Sequence, residues 1–247
     1  MTPFKSSAEL KACAKEKLFG KYGTAMGANL LTGLITFFVD LILLFVTDTT
    51  TVAGTVIYYV IAFGISVVCG LFSSGNAYFY LKAACGQPLA VSDIFMGFRY
   101  FQDKALKIQL WISLLHYIAM IPFIVVSFLV TQNGGLAYTS SAPLFLAYTV
   151  TFLLFEIVSV ILRLLYAQTY FLMHDFPQYT ERQLLSISRQ MMKGQKGRLF
   201  YLLVSFLPLF LLSLLSCGIA LLWIVPYMNT TMAEFYLDLV KHTRSSC

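Results

Sequence analysis

Four ionisable residues, Asp40, His116, Glu156 and Arg163, lie inside long apolar runs of this 247-residue chain. Holding a charge in hydrocarbon is costly, so groups of this kind are the first candidates for a proton or cation path. Asp40, His116 and Glu156 have the chemistry of such a relay. Arg163 falls near the end of its run, where its stem lets the guanidinium reach head groups. Glu156 and Arg163 are seven residues apart on one helix face, but an axial rise of about 10 Å keeps them from pairing directly. The plainer alternative is that neighbouring Tyr and Ser side chains satisfy these groups by hydrogen bonding. Pro122, Pro208 and Pro226 are a second feature: each removes a backbone donor and frees a carbonyl four residues earlier, which kinks a helix or offers an oxygen to a ligand.

The rest of the catalytic vocabulary is missing. The chain has no phosphate-binding glycine loop, zinc-protease motif, nucleophile elbow or dinucleotide fingerprint. His116, His174 and His242 lie in separate segments without ligand spacing, so neither a metal nor another cofactor is expected. Cys13, Cys69, Cys85, Cys217 and Cys247 are odd in number and scattered, which argues against a disulfide framework.

The elements that position these residues follow from composition. Hydrophobic residues make up 59% of the chain and charged ones 11%, too few charges to cover a soluble globule, where about 25% is usual. A helix needs about 20 apolar residues to cross a bilayer. Runs of that kind fall at 26–46, 52–74, 106–130 and 142–166. A longer run from Arg198 to Met228 is broken at Ser216-Cys217-Gly218. Read as a tight turn, that break gives two more crossings, 198–215 and 219–238. The expected fold is therefore an all-α polytopic bundle of six spans, with five as the alternative, forming a single membrane domain over 1–247. In the last run Thr230, Glu234 and Asp238 recur at four-residue steps. Either they line an aqueous vestibule or the helix leaves the membrane near Asn229. On the second span Ser66, Gly70 and Ser74 form a small-residue face suited to close helix packing.

The net charge of +6 is distributed unevenly. With six spans, sixteen of the seventeen Lys and Arg residues fall on one side, which places both termini in the cytoplasm of a cell membrane. The first span starts late, after five lysines, so no cleavable signal peptide is expected. Three basic stretches read as amphipathic helices. Ser6 and Glu9 open one with Leu10, Ala14 and Leu18 on a face; Ser92-Asp93 opens a second with Ile94, Phe98 and Phe101; Thr180 and Gln183 open a third with Leu184, Ile187 and Met191. Their apolar stripes either lie in the bilayer boundary or pack on the bundle. Lys11, Lys15, Lys21, Arg99, Lys104, Arg189, Lys193, Lys196 and Arg198 are the candidate contacts to anionic head groups. Each stretch leads into a hairpin, so the chain divides into three similar units, 1–85, 86–175 and 176–247, by duplication or by coincidence.

The stretch Met192-Lys193-Gly194-Gln195-Lys196-Gly197-Arg198-Leu199-Phe200, then Gly218 to Tyr227 and Thr231 to Leu239, resembles the C-terminal signature of the integral membrane family called domain of unknown function 975. The Lys-rich N-terminal helix, Asp93 to Phe101 and Asp175-Phe176-Pro177 extend the likeness over nearly the whole chain. The resemblance implies a bacterial cytoplasmic-membrane protein with no established activity, and it transfers no catalytic residue. Gln195 stands where that family often has His, which argues against acid–base chemistry there. Three functions remain open: a non-enzymatic factor engaging membrane lipids, a membrane-protein partner or a second copy of itself; a small transporter or channel; and an intramembrane lipid-modifying enzyme. The first is expected. Nucleic acid is not an expected partner despite the basic balance.

Overall fold

The computed structural model describes residues 4–47, 51–132 and 142–244, which contain helices and no strand. Three helices open the chain: α1 (Ser7–Leu18), α2 (Tyr22–Val46) and α3 (Val52–Ala84). A 3₁₀ turn, Val91–Phe95, leads through the short α4 (Met96–Arg99) into α5 (Gln102–Gln132). Next come α6 (Ala142–Tyr166), α7 (Thr169–Asp175), α8 (Glu181–Met191), α9 (Lys196–Val204), α10 (Leu207–Leu215) and α11 (Leu221–Arg244). Both expected capping boxes are formed, Ser6 with Glu9 on α1 and Thr180 with Gln183 on α8.

The middle amphipathic segment is not one helix. Asp93 caps nothing ahead of itself. Its carboxylate accepts from the Ala90 backbone at 3.0 Å and from Lys82 Nζ at 2.7 Å. The chain breaks again at Phe101, whose φ is +60°. The cause is the packing on α3. A Cβ on Gly75 would stand 1.7 Å from the Ile94 carbonyl oxygen, and one on Gly97 would stand 2.0 Å from that of Leu71. Backbone is pressed on backbone at both places, so Ile94 is buried while Phe101, of the same expected face, is exposed. Gly75→Ala should therefore lower the unfolding free energy by about 1–3 kcal/mol, the usual cost of overpacking. Gly64→Ala on the same helix meets nothing within 4 Å and should lose none of it. Thermal unfolding of both variants in one detergent checks the contrast.

The small-residue face packs as its pattern predicts. Ser66 Oγ donates to Ser113 Oγ at 3.0 Å, Gly70 lies against Gln109, and Ser74 is fully buried. The amphipathic stripes also pack on protein rather than facing the bilayer. Leu10, Ala14 and Leu18 of α1 are 0% exposed, and Leu184 of α8 is likewise covered. Helix α1 lies against α11, whose Thr230, Glu234 and Asp238 are closed off rather than lining a vestibule. Both threonine hydroxyls, Thr230 and Thr231, donate back to carbonyls of their own helix.

Among the described residues five stretches are long and apolar enough to cross a membrane: Tyr22–Val46, Val52–Ala84, Gln102–Gln132, Pro143–Asp175 and Lys196–Leu215. The chain is a multi-pass helical membrane protein. Helices α5 and α11 run on through Pro122 and Pro226, but at Pro208 the helix is interrupted, α9 ending at Val204 and α10 starting at Leu207. Lys11 fills the gap. Its ammonium donates to the Ser205 carbonyl at 2.8 Å and lies 4.1 Å over the Phe206 ring.

The last hairpin is short. Arg198 at the start of α9 is ion-paired with Asp238 near the end of α11, so its two limbs begin at one level. Asn229 of α11 and Asn76 of α3 line one cavity and mark a second shared level. From there Leu221 is eight residues away, about 12 Å, whereas the far end of α3 at Val52 is twenty-four residues away, about 36 Å. Tilting α3 by about 20° would remove only about 2 Å of that difference.

Candidate functional site

The four intramembrane residues do not converge on one point. His116 of α5 is half-buried in the wall of a cavity of about 400 Å³ between α3, α5 and α6, and Arg163 lines the same space. Ser159 Oγ lies 3.5 Å from His116 Nδ1, and the Phe155 ring meets the imidazole edge-on at 5.0 Å. A chain of hydrogen bonds continues along the cavity: Tyr170 OH donates to Gln109 Oε1 at 2.7 Å, and Gln109 Nε2 donates to Ser113 Oγ at 3.3 Å. Glu156 is exposed, although near enough to act on the charge of His116. Asp40 is exposed on α2 and, like Glu156, lies outside the cavity lining. His116 and its hydroxyl and amide neighbours thus form a polar seam in which Asp40 has no part.

The candidate head-group cations separate into two sets. Four serve the fold. Lys11 closes the α9–α10 break, and burial pulls its ammonium pKa down. Lys21 donates to the carbonyls of Gly86 and Gln87 at 3.0 and 2.8 Å. Lys104 donates to those of Pro177 and Tyr179. Arg198 donates to the Lys5 carbonyl at 2.7 Å and pairs with Asp238. The other five, Lys15, Arg99, Arg189, Lys193 and Lys196, are exposed. Beside the Arg198 pair, Lys5 Nζ lies 3.6 Å from the Glu234 carboxylate. Burial pushes that carboxyl up from its ordinary pKa against the pull of the ammonium.

One grouping was not singled out in the sequence, although Arg189, one of its members, was. Arg182 and Arg189 of α8 are seven residues apart on one face, about 10 Å along the axis. With Trp111 and Leu115 of α5, Tyr166 of α6 and Leu185 they enclose a groove of about 350 Å³. Both arginines are exposed and neither is ion-paired among the described residues. The seven-residue spacing was visible, but the groove exists only because α8 folds back over α5 and α6. Among the described residues no cluster of His, Cys, Asp or Glu has the make-up of a metal site.

A family model described as "Protein of unknown function (DUF975)" matches residues 1–243. The chain belongs to this family. No curated protein and no solved structure matches it. In this DUF975 member the C-terminal stretch that carries the likeness supplies Arg198, Phe235 and Asp238 to one buried cluster. That signature is thus, physically, the joint between the last hairpin and the N-terminal segment.

Proposed function

We propose that this protein is a non-enzymatic membrane factor whose basic end faces the cytoplasm and holds anionic lipid head groups, with the Arg182–Arg189 groove as the principal contact. The observation that carries the reading is the groove itself: two unpaired guanidinium groups beside an indole and a phenol, above apolar walls. Arginine is suited to phosphate by its planar fork of donors, and Trp and Tyr favour the level where head groups meet acyl chains. The exposed Lys15, Arg99, Lys193 and Lys196 add to the same field.

Each cation near an anionic surface contributes about 1 kcal/mol, so Arg182→Gln with Arg189→Gln should weaken retention of an anionic phospholipid by about 30-fold at low salt. Native mass spectrometry of the protein released from mixed anionic and zwitterionic nanodiscs reads that ratio. Retention should also fall as ionic strength rises. Equal retention by the double variant, or no salt dependence, rejects the groove as the contact.

A second reading, a small transporter or channel, draws on the polar seam around His116. Proton flux measured in liposomes with an enclosed pH-sensitive dye separates it from the first.

A further inference from the structure

The cavity between α3, α5 and α6 has a cation in its wall and no anion. Arg163 and His116 line it with Ser66, Ser73, Ser113 and Ser159, and among the described residues no Asp or Glu does. The neutral groups are paired with one another or with backbone. Tyr170 donates to Gln109, Gln109 to Ser113, Ser66 reaches the same Ser113 hydroxyl, and Ser73 donates to the Cys69 carbonyl at 3.2 Å. The two basic groups are not so provided. Arg163 is exposed and takes part in no ion pair among the described residues. His116 has Ser159 beside Nδ1, while its Nε2 has no bond among the described residues. The two are close enough for the charge of Arg163 to act on the imidazole. Glu156 acts on it too, but that carboxylate is exposed, seven residues along α6 from Arg163, and stays out of the wall.

Depth makes the imbalance costly. Along α3, Ser73 is twenty-one residues from Val52, about 32 Å, and Ser66 is fourteen, about 21 Å. Against a hydrocarbon core of about 30 Å, the wall therefore starts at the head-group boundary opposite Val52 and reaches about 10 Å into the apolar layer. A guanidinium held there without a counter-charge is expensive, and a bound anion removes that cost. The donors say which kind. The guanidinium fork meets two oxygens at once, and His116 Nε2 supplies a third donor in the tautomer that carries its hydrogen there. A carboxylate has only two oxygens, whereas a phosphate group has enough for all three donors. The space of about 400 Å³ also leaves room for an ester stem.

We propose that this cavity binds a phosphate group, carried on a lipid or on a small soluble ester, with Arg163 as its main contact and His116 as its second. The site is separate from the arginine groove, and its occupancy requires no transport.

The test uses the full-length protein in maltoside micelles, which contain no phosphate, and in the Arg182→Gln, Arg189→Gln background, so that the groove contributes nothing. Methyl phosphate in the buffer, followed by calorimetry, and phosphatidic acid in the micelle, followed by its retention in native mass spectrometry, are the two probes. Saturable binding of at least one is expected, and which of them binds tells the soluble source from the lipid. Arg163→Gln should weaken that binding by about tenfold, as loss of a charged donor does, and His116→Leu by about threefold. Arg163→Lys keeps the charge without the fork and should restore part of the affinity. Glu156→Gln alters the same helix but not the wall, so affinity should hold or tighten. Arg163 has no ion-pair partner to lose, so its Gln variant should keep the unliganded thermal midpoint. Absence of saturable binding to both probes, undiminished affinity in Arg163→Gln, or a density map at saturating probe in which the cavity holds water alone would each overturn the proposal.

Discussion

A membrane-impermeant maleimide added to intact cells is expected to leave Cys217 unmodified, whereas a maleimide added after SDS has dissolved the membrane should modify it. Hydropathy suggests the opposite, because Ser216-Cys217-Gly218 falls between two apolar runs and would then form an outer turn. The distances decide against that. The hairpin tip reaches about 12 Å beyond Asn229, plus a short turn, while α3 continues for about 36 Å beyond Asn76. A core of about 30 Å therefore closes over the tip near its middle. The side chains there agree: Leu214, Leu215 and Ile219 are 75%, 83% and 61% exposed, an apolar tip suited to acyl chains and poorly suited to water. The turn itself is tight, with φ of +50° at Cys217 and +86° at Gly218, so few residues are spent on it. A cysteine placed at Thr51, in the connection between α2 and α3, serves as the outside control and should react under both conditions. Cys217 modified from outside as fast as that control would mean that α10 and α11 cross completely.

The same hairpin shows where reading the sequence stopped. Long apolar runs identified α2, α3, α5 and α6, because a bilayer selects for length and apolarity that any window detects. The capping boxes of α1 and α8 were equally plain, since they depend on residues three apart. Depth was not legible. Apolarity cannot separate a helix that crosses from a pair that enters and returns, and only the level shared by Asn76 and Asn229 supplies the difference. Glycines in the three basic stretches are uninformative by themselves for a related reason. Gly20 turns the chain at φ +74°, Gly97 admits the Leu71 carbonyl, and Gly197 meets nothing within 4 Å. Similar letters do three jobs because their partners come from elsewhere in the chain. The candidate sites were partly visible: His116 and Arg163 do share a cavity, but Arg182 and Trp111 take their meaning from long-range neighbours.

Asp238→Ala is expected to cost about 3–5 kcal/mol of unfolding free energy, the range for removing one member of a buried ion pair. The Asp238 side chain is 2% exposed and that of Arg198 19%, so without the carboxylate the guanidinium is left unpaired in a largely dry place. Phe4 and Phe235 hold that guanidinium between them, each ring 4.8 Å from its carbon, and His242 stacks on Phe4 at 4.0 Å. Arg198 also holds the Lys5 carbonyl. The loss should therefore spread to the N-terminal segment, and limited proteolysis ahead of α1 should accelerate in the variant. Arg198→Met alone should cost less, because the residual Asp238 carboxylate can be neutralised by a proton or by His242, whose Nδ1 is 3.7 Å away. Arg198→Met combined with Asp238→Leu removes both charges and keeps the volume, so it should recover most of the loss. A double-mutant cycle on denaturant unfolding in mixed micelles separates pairing from packing. Additive single losses, or an Asp238→Ala cost below about 1 kcal/mol, the usual value of an exposed pair, would show that the pair does not join the last hairpin to the N-terminal helix.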